Sequence, residues 1–291
     1  MRTETMLPTM RLIGWCKNID HECERRFRGI FRTSVMQTLV EQTPVCLGRD
    51  IHAIKDVADR TGMQIIACTG FFYTENQWLF GRSEESLMEC MRKDIEEGIQ
   101  DTDIRPGLIK CATDVAGITP INEVLLNAHA QMSKESGLPI ATHSYYGNRS
   151  GIGQMDIFEK YDLNPEKILI GHCGDTNDCG YLEELLNRGC YIGLDRFGDD
   201  EKNPLKNRVD TLMKLCERGW IKQLMISHDY VSFVDLGRFE WKNKRNTDPD
   251  DAIYNSRYIH RYVLPMLREL GFGEEGINQL LVENPMNYFK A

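Results

Sequence analysis

Three apolar runs of the sequence end on residues that can bind a metal ion. "PIATH" ends on His143, "ILIGH" ends on His172, and "QLMISHD" ends on Asp229. A fourth run, "GLIKCA", holds Lys110 among apolar neighbours. One strand-end histidine alone is most often structural, and one lysine alone usually extends its amine to solvent. The recurrence of the pattern favours a shared site instead.

These residue types suit hydrolysis at a metal centre. Two imidazoles and a carboxylate are ligands for zinc, iron, cobalt or manganese. A desolvated lysine amine can react with carbon dioxide to form a carbamate, whose two oxygens can bridge two ions. A metal pair about 3.5–4 Å apart lowers the pKa of bound water and supports hydrolysis near neutral pH. The predicted ligands are Lys110, His143, His172 and Asp229, with Asp229 also taking the proton of the water.

The elements that position these residues follow an α/β pattern. From residue 39 onward, short apolar runs alternate with segments of helical period, which is typical of parallel strands joined by crossover helices. Helices are predicted over 50–62, with Asp50 as N-cap and a closing Gly62, and over 119–137, with Pro at the first helical position. The predicted strands are 38–43, 64–70, 107–112, 138–143, 167–172, 189–195 and 223–229.

Seven strands fit either a barrel with one strand missing or degenerate, or an open doubly wound sheet. An open sheet gathers its ligands at one switch point, whereas every strand of a barrel ends at the same face. Polar residues end five separate runs, at Lys110, His143, His172, Arg196 and Asp229. We therefore predict a (β/α)8 TIM barrel, for which 291 residues are enough.

The overall composition excludes several classes of partner. The net charge is −9, which argues against a nucleic-acid or anionic-membrane surface. No apolar stretch approaches the roughly 20 residues of a membrane helix. The ten cysteines are spread along the chain with no CxxC pair, so we expect reduced thiols. These features predict a cytoplasmic protein with a small-molecule partner, without nucleic acid or membrane.

Several motifs identify a family resemblance. "LGRD", "TGFFY", "ATHSYYG", "IGHCGDTND", "IGLDRFG", "SHDY" and "ENPMNYF" occur in this order from about residue 38 onward. The chain resembles the phosphotriesterase-like branch of the amidohydrolase superfamily, which includes phosphotriesterases and related lactonases. The resemblance implies a (β/α)8 barrel with a binuclear metal centre. It implies that Lys110 is a carbamylated bridging lysine, that His143 and His172 bind the more exposed metal, and that Asp229 is the ligand and proton acceptor on the last strand.

The resemblance also implies a class of substrate. Arg196, in "LDRFG", resembles the arginine of the lactonase subgroup, and Phe72 lies near the position where those enzymes have an aromatic beside the metals. Both are expected to bind substrate, which favours a lactone or related carboxylic ester over an organophosphate. A homodimer is also expected by resemblance. An amidase of the wider superfamily remains an alternative.

The N-terminus departs from the family pattern. The family's first strand ends in a His-x-His pair that holds the buried metal, and this sequence has no such pair. In "DHECE", His21 and Cys23 have the right separation but lie too close to the next strand. We therefore divide the chain into an atypical segment, 1–37, and a hydrolase barrel, 38–291.

Three explanations of this departure stay open. Strand 1 is lost, the recorded start is shifted, or residues 9–16 fill the first strand position without supplying ligands. The rival to the enzyme is therefore a non-catalytic or one-metal relative.

Other polar residues have simpler interpretations. His52 and His129 fall in predicted helices, where surface or helix-packing roles are expected. Asp175 and Asp178, in "GDTND", either orient His172 from behind or form the turn that follows it.

Overall fold

The computed structural model describes residues 10–14, 38–231 and 257–290. The strands are β1 Met10–Gly14, β2 Thr38–Glu41, β3 Gln64–Ile66, β4 Cys68–Gly70, β5 Leu108–Ala112, β6 Ile140–His143, β7 Ile168–Gly171, β8 Tyr191–Leu194, β9 Leu224–Ile226 and β10 Tyr230–Val231. All strand pairs in these residues are parallel, and the strands form two sheets with the orders β10-β1-β2-β3 and β4-β5-β6-β7-β8-β9.

The two sheets join into one closed barrel. Only Ala67 separates β3 from β4, and only residues 227–229 separate β9 from β10. Each of these pairs therefore occupies a single strand position, and the ring has eight positions. The predicted (β/α)8 TIM barrel is confirmed. The predicted strand 64–70 is interrupted at Ala67, and the predicted strand 223–229 contains only β9, since β10 begins at Tyr230.

The first strand position is filled from within the N-terminal segment. Strand β1 pairs in parallel with β2, with Met10 opposite Thr38, and with β10, with Ile13 opposite Tyr230. This agrees with the third explanation, in which residues 9–16 provide the strand. His21 and Cys23 lie outside the described residues.

Helix α1, Ile51–Thr61, begins and ends at the signals predicted from the sequence. The side chain of Asp50 caps α1 by accepting a hydrogen bond from the N–H of Ala53 at 3.1 Å. Gly62 ends α1 with φ of 71°, a left-handed conformation that glycine adopts without strain. The helices are α1 Ile51–Thr61, α2 Glu84–Glu96, α3 Pro120–Ser136, α4 Ser150–Lys160, α5 Cys179–Asn187, α6 Leu205–Glu217, α7 Leu264–Glu269, α8 Glu274–Asn278 and α9 Asn284–Phe289.

The core has two parts, one between strands and helices and one inside the barrel. Tyr288 of α9 packs against a layer of buried side chains to which each of seven strand positions contributes one residue. These are Val40, Cys68, Leu108, Ala141, Leu169, Tyr191 and Met225. Side chains alternate along a strand, so the residue two positions later faces inward again, nearer the carboxyl end. That next layer holds the candidate site.

Candidate active site

The second inward layer combines reactive residues with glycines. Its members are Gln42, Gly70, Lys110, His143, Gly171, Gly193 and Ser227. A Cβ on Gly171 would lie 2.2 Å from the carbonyl oxygen of Thr142, and a Cβ on Gly193 would lie 2.8 Å from a carboxylate oxygen of Asp195. The glycines therefore leave room for the backbone of the neighbouring strand and for the carboxylate of Asp195.

Lys110 is a buried amine on β5. Its side chain donates a hydrogen bond to Oε1 of Gln42 at 2.9 Å, and the residue is 7% exposed. Burial lowers the pKa of the Lys110 amine, against the opposing charges of Asp229 and Asp195. A lysine with a lowered pKa is more often neutral, and the neutral amine is the form that reacts with carbon dioxide.

The two predicted histidine ligands face one another. Nε2 of His172 lies 2.8 Å from Nδ1 of His143. We call these facing nitrogens the inner nitrogens and the other nitrogen of each ring the outer one. Each outer nitrogen has a carboxylate beside it: Nδ1 of His172 is 2.8 Å from Asp195, and Nε2 of His143 is 3.5 Å from Asp114. Burial lowers the pKa of both histidines, and the charge of Lys110 lowers both further, so all three groups share one environment.

This pairing has a consequence for the inner nitrogens. A neutral imidazole carries one N–H, and a neighbouring carboxylate favours its placement on the outer nitrogen. At 2.8 Å the inner nitrogens of His143 and His172 are at hydrogen-bonding distance, so one of them carries the hydrogen that the other accepts. With both hydrogens on the outer nitrogens, the inner pair would offer two imidazole ligands to one divalent metal, whose bonds of about 2.0–2.1 Å need a slightly wider separation.

Left-handed backbone conformations turn the strand-end residues toward the site. His172, Arg196 and Asp229 have φ of 63°, 63° and 46°, although none is glycine. Such conformations are uncommon for other residues and cluster at functional sites. The unusual backbone conformation of His172 is stabilised by its N–H, which donates to both carboxylate oxygens of Asp195, at 3.0 Å each.

Asp229 belongs to a chain of alternating charges. Nε of Arg196 donates to Asp229 at 3.1 Å, and Nη1 donates to Asp175 at 2.7 Å. The other oxygen of Asp175 accepts from buried Arg208 at 2.9 Å. Burial raises the pKa of Asp229, but the neighbouring imidazole of His172, 4.0 Å away, and the guanidinium of Arg196 outweigh it and hold that pKa below its usual value. Asp229 is therefore a carboxylate at neutral pH.

Aromatic residues lie beside His143. The ring of Phe72 packs edge-on at 5.3 Å between centroids, and the ring of Tyr73 lies at 5.7 Å. Burial, followed by the neighbouring carboxylate of Asp114, raises the pKa of Tyr73 to about 12, so its hydroxyl stays protonated. The two rings form one wall of the site.

Comparison with known proteins assigns the family. The profile of the Phosphotriesterase family matches residues 22–289. The aryldialkylphosphatase of Saccharolobus solfataricus is 36% identical over 256 residues, which cover 87% of this chain and 81% of that protein. This chain belongs to the phosphotriesterase family. A more distant relative, the phospho-furanose lactonase of Mycoplasmopsis synoviae, is 24% identical and covers 85% of this chain and 74% of its own length.

The fold agrees with a solved structure of the same phosphotriesterase family. The phosphotriesterase from Mycobacterium tuberculosis superposes with a TM-score of 0.84 at 31% identity, covering 98% of this chain and 94% of the other. The family consists of hydrolases. No helix in the described part of the chain is both long and apolar enough to cross a membrane.

The donor set fits a divalent metal, as phosphotriesterase-family members require. Within residues 38–231 and 257–290, no three His, Cys, Asp or Glu side chains are gathered closely enough to form a complete metal site by themselves. His143 and His172 nevertheless bring two ring nitrogens together, and the charges of Lys110 and Asp229 act on the same imidazole of His172. Zinc accepts this mixture of nitrogen and oxygen ligands.

The structure brings together Lys110, His143, His172, Asp229, Arg196 and Phe72, the residues singled out from the sequence. It also shows residues that sequence reasoning missed. The partner behind His172 is Asp195, whereas Asp175 binds two arginines and Asp178 caps α5 by accepting from Tyr181 at 3.1 Å. Asp195 is the last residue of the predicted strand 189–195, and a carboxylate at the end of an apolar run was the available signal.

Proposed function

We propose that this phosphotriesterase-family chain is a metal-dependent hydrolase of a lactone or related carboxylic ester, with zinc as the expected metal. The observation that carries the proposal is the facing pair of His143 and His172. Their inner nitrogens are 2.8 Å apart while carboxylates occupy the outer nitrogens. Imidazoles with a carboxylate behind the ring are typical of metal ligands in proteins.

The metal and the protein have separate tasks in this proposal. A bound divalent ion supplies Lewis acidity, which lowers the pKa of water and polarises a carbonyl group. Asp229 accepts the proton of the attacking water, because its carboxylate is ionised and Arg196 holds one of its oxygens at 3.1 Å. Lys110, as a carbamate, supplies further oxygen ligands beside the histidines.

Two features support an ester or lactone substrate. The Arg196 side chain is 16% exposed, and Nη2 forms no hydrogen bond within the described part of the chain, whereas Nε and Nη1 are held by carboxylates. This fixed donor suits the oxygen of a carboxylic ester and its carboxylate product. Phe72 supplies an apolar surface next to His143 for the hydrocarbon part of the substrate.

The first experiment measures metal content and hydrolysis together. The protein is purified without chelators in bicarbonate buffer, and metal per chain is determined by mass spectrometry. His172→Asn is compared with the matched control His52→Asn, at an exposed histidine of α1. The wild type and the control are expected to retain metal and to hydrolyse members of a lactone panel faster than organophosphates. His172→Asn is expected to lose both properties while its circular dichroism is unchanged.

The absence of His-x-His from the sequence supports a specific second candidate. A non-catalytic or one-metal relative would keep the barrel and lose the buried metal. About two metal equivalents with lactone turnover would exclude this candidate. A folded wild type without metal or turnover would exclude the hydrolase, as would unchanged metal content in His172→Asn.

A further inference from the structure

The two facing histidines are held in different ways. His172 is fixed by Asp195, which is buried and contacts both the ring nitrogen and the backbone N–H. His143 has Asp114 behind it, whose side chain is 24% exposed and lies at 3.5 Å instead of 2.8 Å. His143 therefore has behind it a carboxylate that is more exposed and lies farther from the ring than that of Asp195.

The turn around Asp114 places its carboxylate firmly. Oδ1 of Asp114 accepts from the N–H of Val115 at 2.9 Å, and its carbonyl accepts from the N–H of Gly117 at 2.7 Å. The side chain of Asn148, in the loop after β6, donates to the carbonyls of Asp114 and Val115 at 3.0 and 3.1 Å. The loops after β5 and β6 are thus joined next to His143.

Tyr73 approaches the same carboxylate from the loop after β4. Its ring lies 5.7 Å from the ring of His143, and the neighbouring Asp114 contributes to the raised pKa of its hydroxyl. Asp114 therefore has neighbours in the loops after β4, β5 and β6. Among these neighbours, the side chain of His143 faces the inside of the barrel. This arrangement selects one orientation of the imidazole.

Orientation decides whether His143 can bind a metal. Nδ1 faces Nε2 of His172 and must carry the lone pair, so Nε2 must carry the hydrogen. The carboxylate at Asp114 favours that tautomer. An uncharged group at this position favours that tautomer less, and Nδ1 of His143 then binds a metal more weakly.

We infer that Asp114 is a positioning residue for His143 and that Tyr73 holds Asp114 in place, so that together they set the affinity of the site for a divalent metal. The inference rests on the proposed function, since it concerns the same site. It adds two residues that act through His143.

The test compares zinc affinity across variants. Asp114→Asn removes the charge but keeps an oxygen acceptor for the turn. Tyr73→Phe removes only the hydroxyl and keeps the ring. Asp103→Asn is the matched control, because Asp103 is exposed in the loop before β5, at the opposite end of the barrel. Zinc affinity is measured by competition with a chromophoric chelator, and the ligand field by the visible spectrum of the Co²⁺ form.

Asp114→Asn is expected to bind zinc about 10–100-fold more weakly, the usual effect of removing a carboxylate behind a histidine ligand. Its cobalt spectrum should shift, with little change in melting temperature. Tyr73→Phe should weaken binding by a smaller factor in the same direction, and Asp103→Asn should leave it unchanged.

Wild-type zinc affinity and an unaltered cobalt spectrum in Asp114→Asn would overturn the inference. If that variant does not fold, Tyr73→Phe decides the question, and wild-type affinity there has the same meaning. Failure of the proposed function looks different, because the folded wild type would then bind no zinc.

Discussion

His129 links helix α3 to the loop that carries the aromatic wall of the site. The residue is fully buried, and its Nε2 accepts a hydrogen bond from the N–H of Phe71 at 2.9 Å. Its other nitrogen contacts the carbonyl of Leu125 one turn earlier. Burial lowers the pKa of His129 from 6.5 to about 4. The expected helix-packing role thus comes with a specific contact to the residue before Phe72.

The lowered pKa makes folding sensitive to acid. Below about pH 6.5 the unfolded chain protonates His129, while the folded chain does so only near pH 4, so stability is lost as the pH falls between these values. At about 1.4 kcal/mol for each pH unit, the full loss is about 3 kcal/mol. In His129→Gln this contribution is absent, because the glutamine oxygen can accept the same hydrogen bond but does not titrate.

The measurement is urea unfolding of the wild type and His129→Gln from about pH 7.5 to about pH 4.5. The wild-type advantage in free energy of unfolding should shrink by up to about 3 kcal/mol over this range, and the subtraction cancels the other titrating groups. His129→Phe is the control: it removes the imidazole acceptor, so the Phe71 N–H keeps only the carbonyl of Lys110 at 3.1 Å, and it should lose about 1 kcal/mol more at every pH. A difference between wild type and His129→Gln that is constant with pH would refute the reasoning.

Three further substitutions test other parts of the structure. Gly70→Ala places a Cβ 2.2 Å from the carbonyl oxygen of Lys110 at a φ of 111°, so urea unfolding should show a loss of about 2 kcal/mol or more, and wild-type stability would contradict the clash. Arg208→Met removes a buried partner of Asp175 together with hydrogen bonds to four carbonyls, and calorimetry should show a loss of about 3 kcal/mol or more. Lys110→Met replaces a buried amine with an apolar chain, so the free energy of unfolding should rise by about 1 kcal/mol while metal binding is lost; retained metal would exclude Lys110 as a ligand.

The strands and their polar ends could be predicted because both are local features. An apolar run of four to six residues marks a buried parallel strand, and the first polar residue after it lies at the barrel mouth. Lys110 and His143 also follow simple alternation, since each lies two positions beyond an interior residue of its strand, Leu108 and Ala141.

The remaining parts of the site depend on non-local geometry. Alternation alone would turn His172 away from the interior, because Leu169 and then Gly171 occupy the inward positions. A left-handed φ of 63° turns it back, and Asp195 from the next strand holds its N–H. The contact of Asp114 with His143 arises from the register of β5 and β6 and from a turn beyond the strand, which no sequence periodicity contains.

Closing the barrel and binding metal make different demands on the first strand. Closure needs backbone hydrogen bonds, which almost any sequence can provide, and Met10–Gly14 pairs in parallel with both neighbours. Metal binding needs particular side chains, and the sequence has no His-x-His. The match to the phosphotriesterase family begins at residue 22, after this strand. The backbone pairing that closes the barrel and the side chains that bind metal are therefore separate properties of this chain.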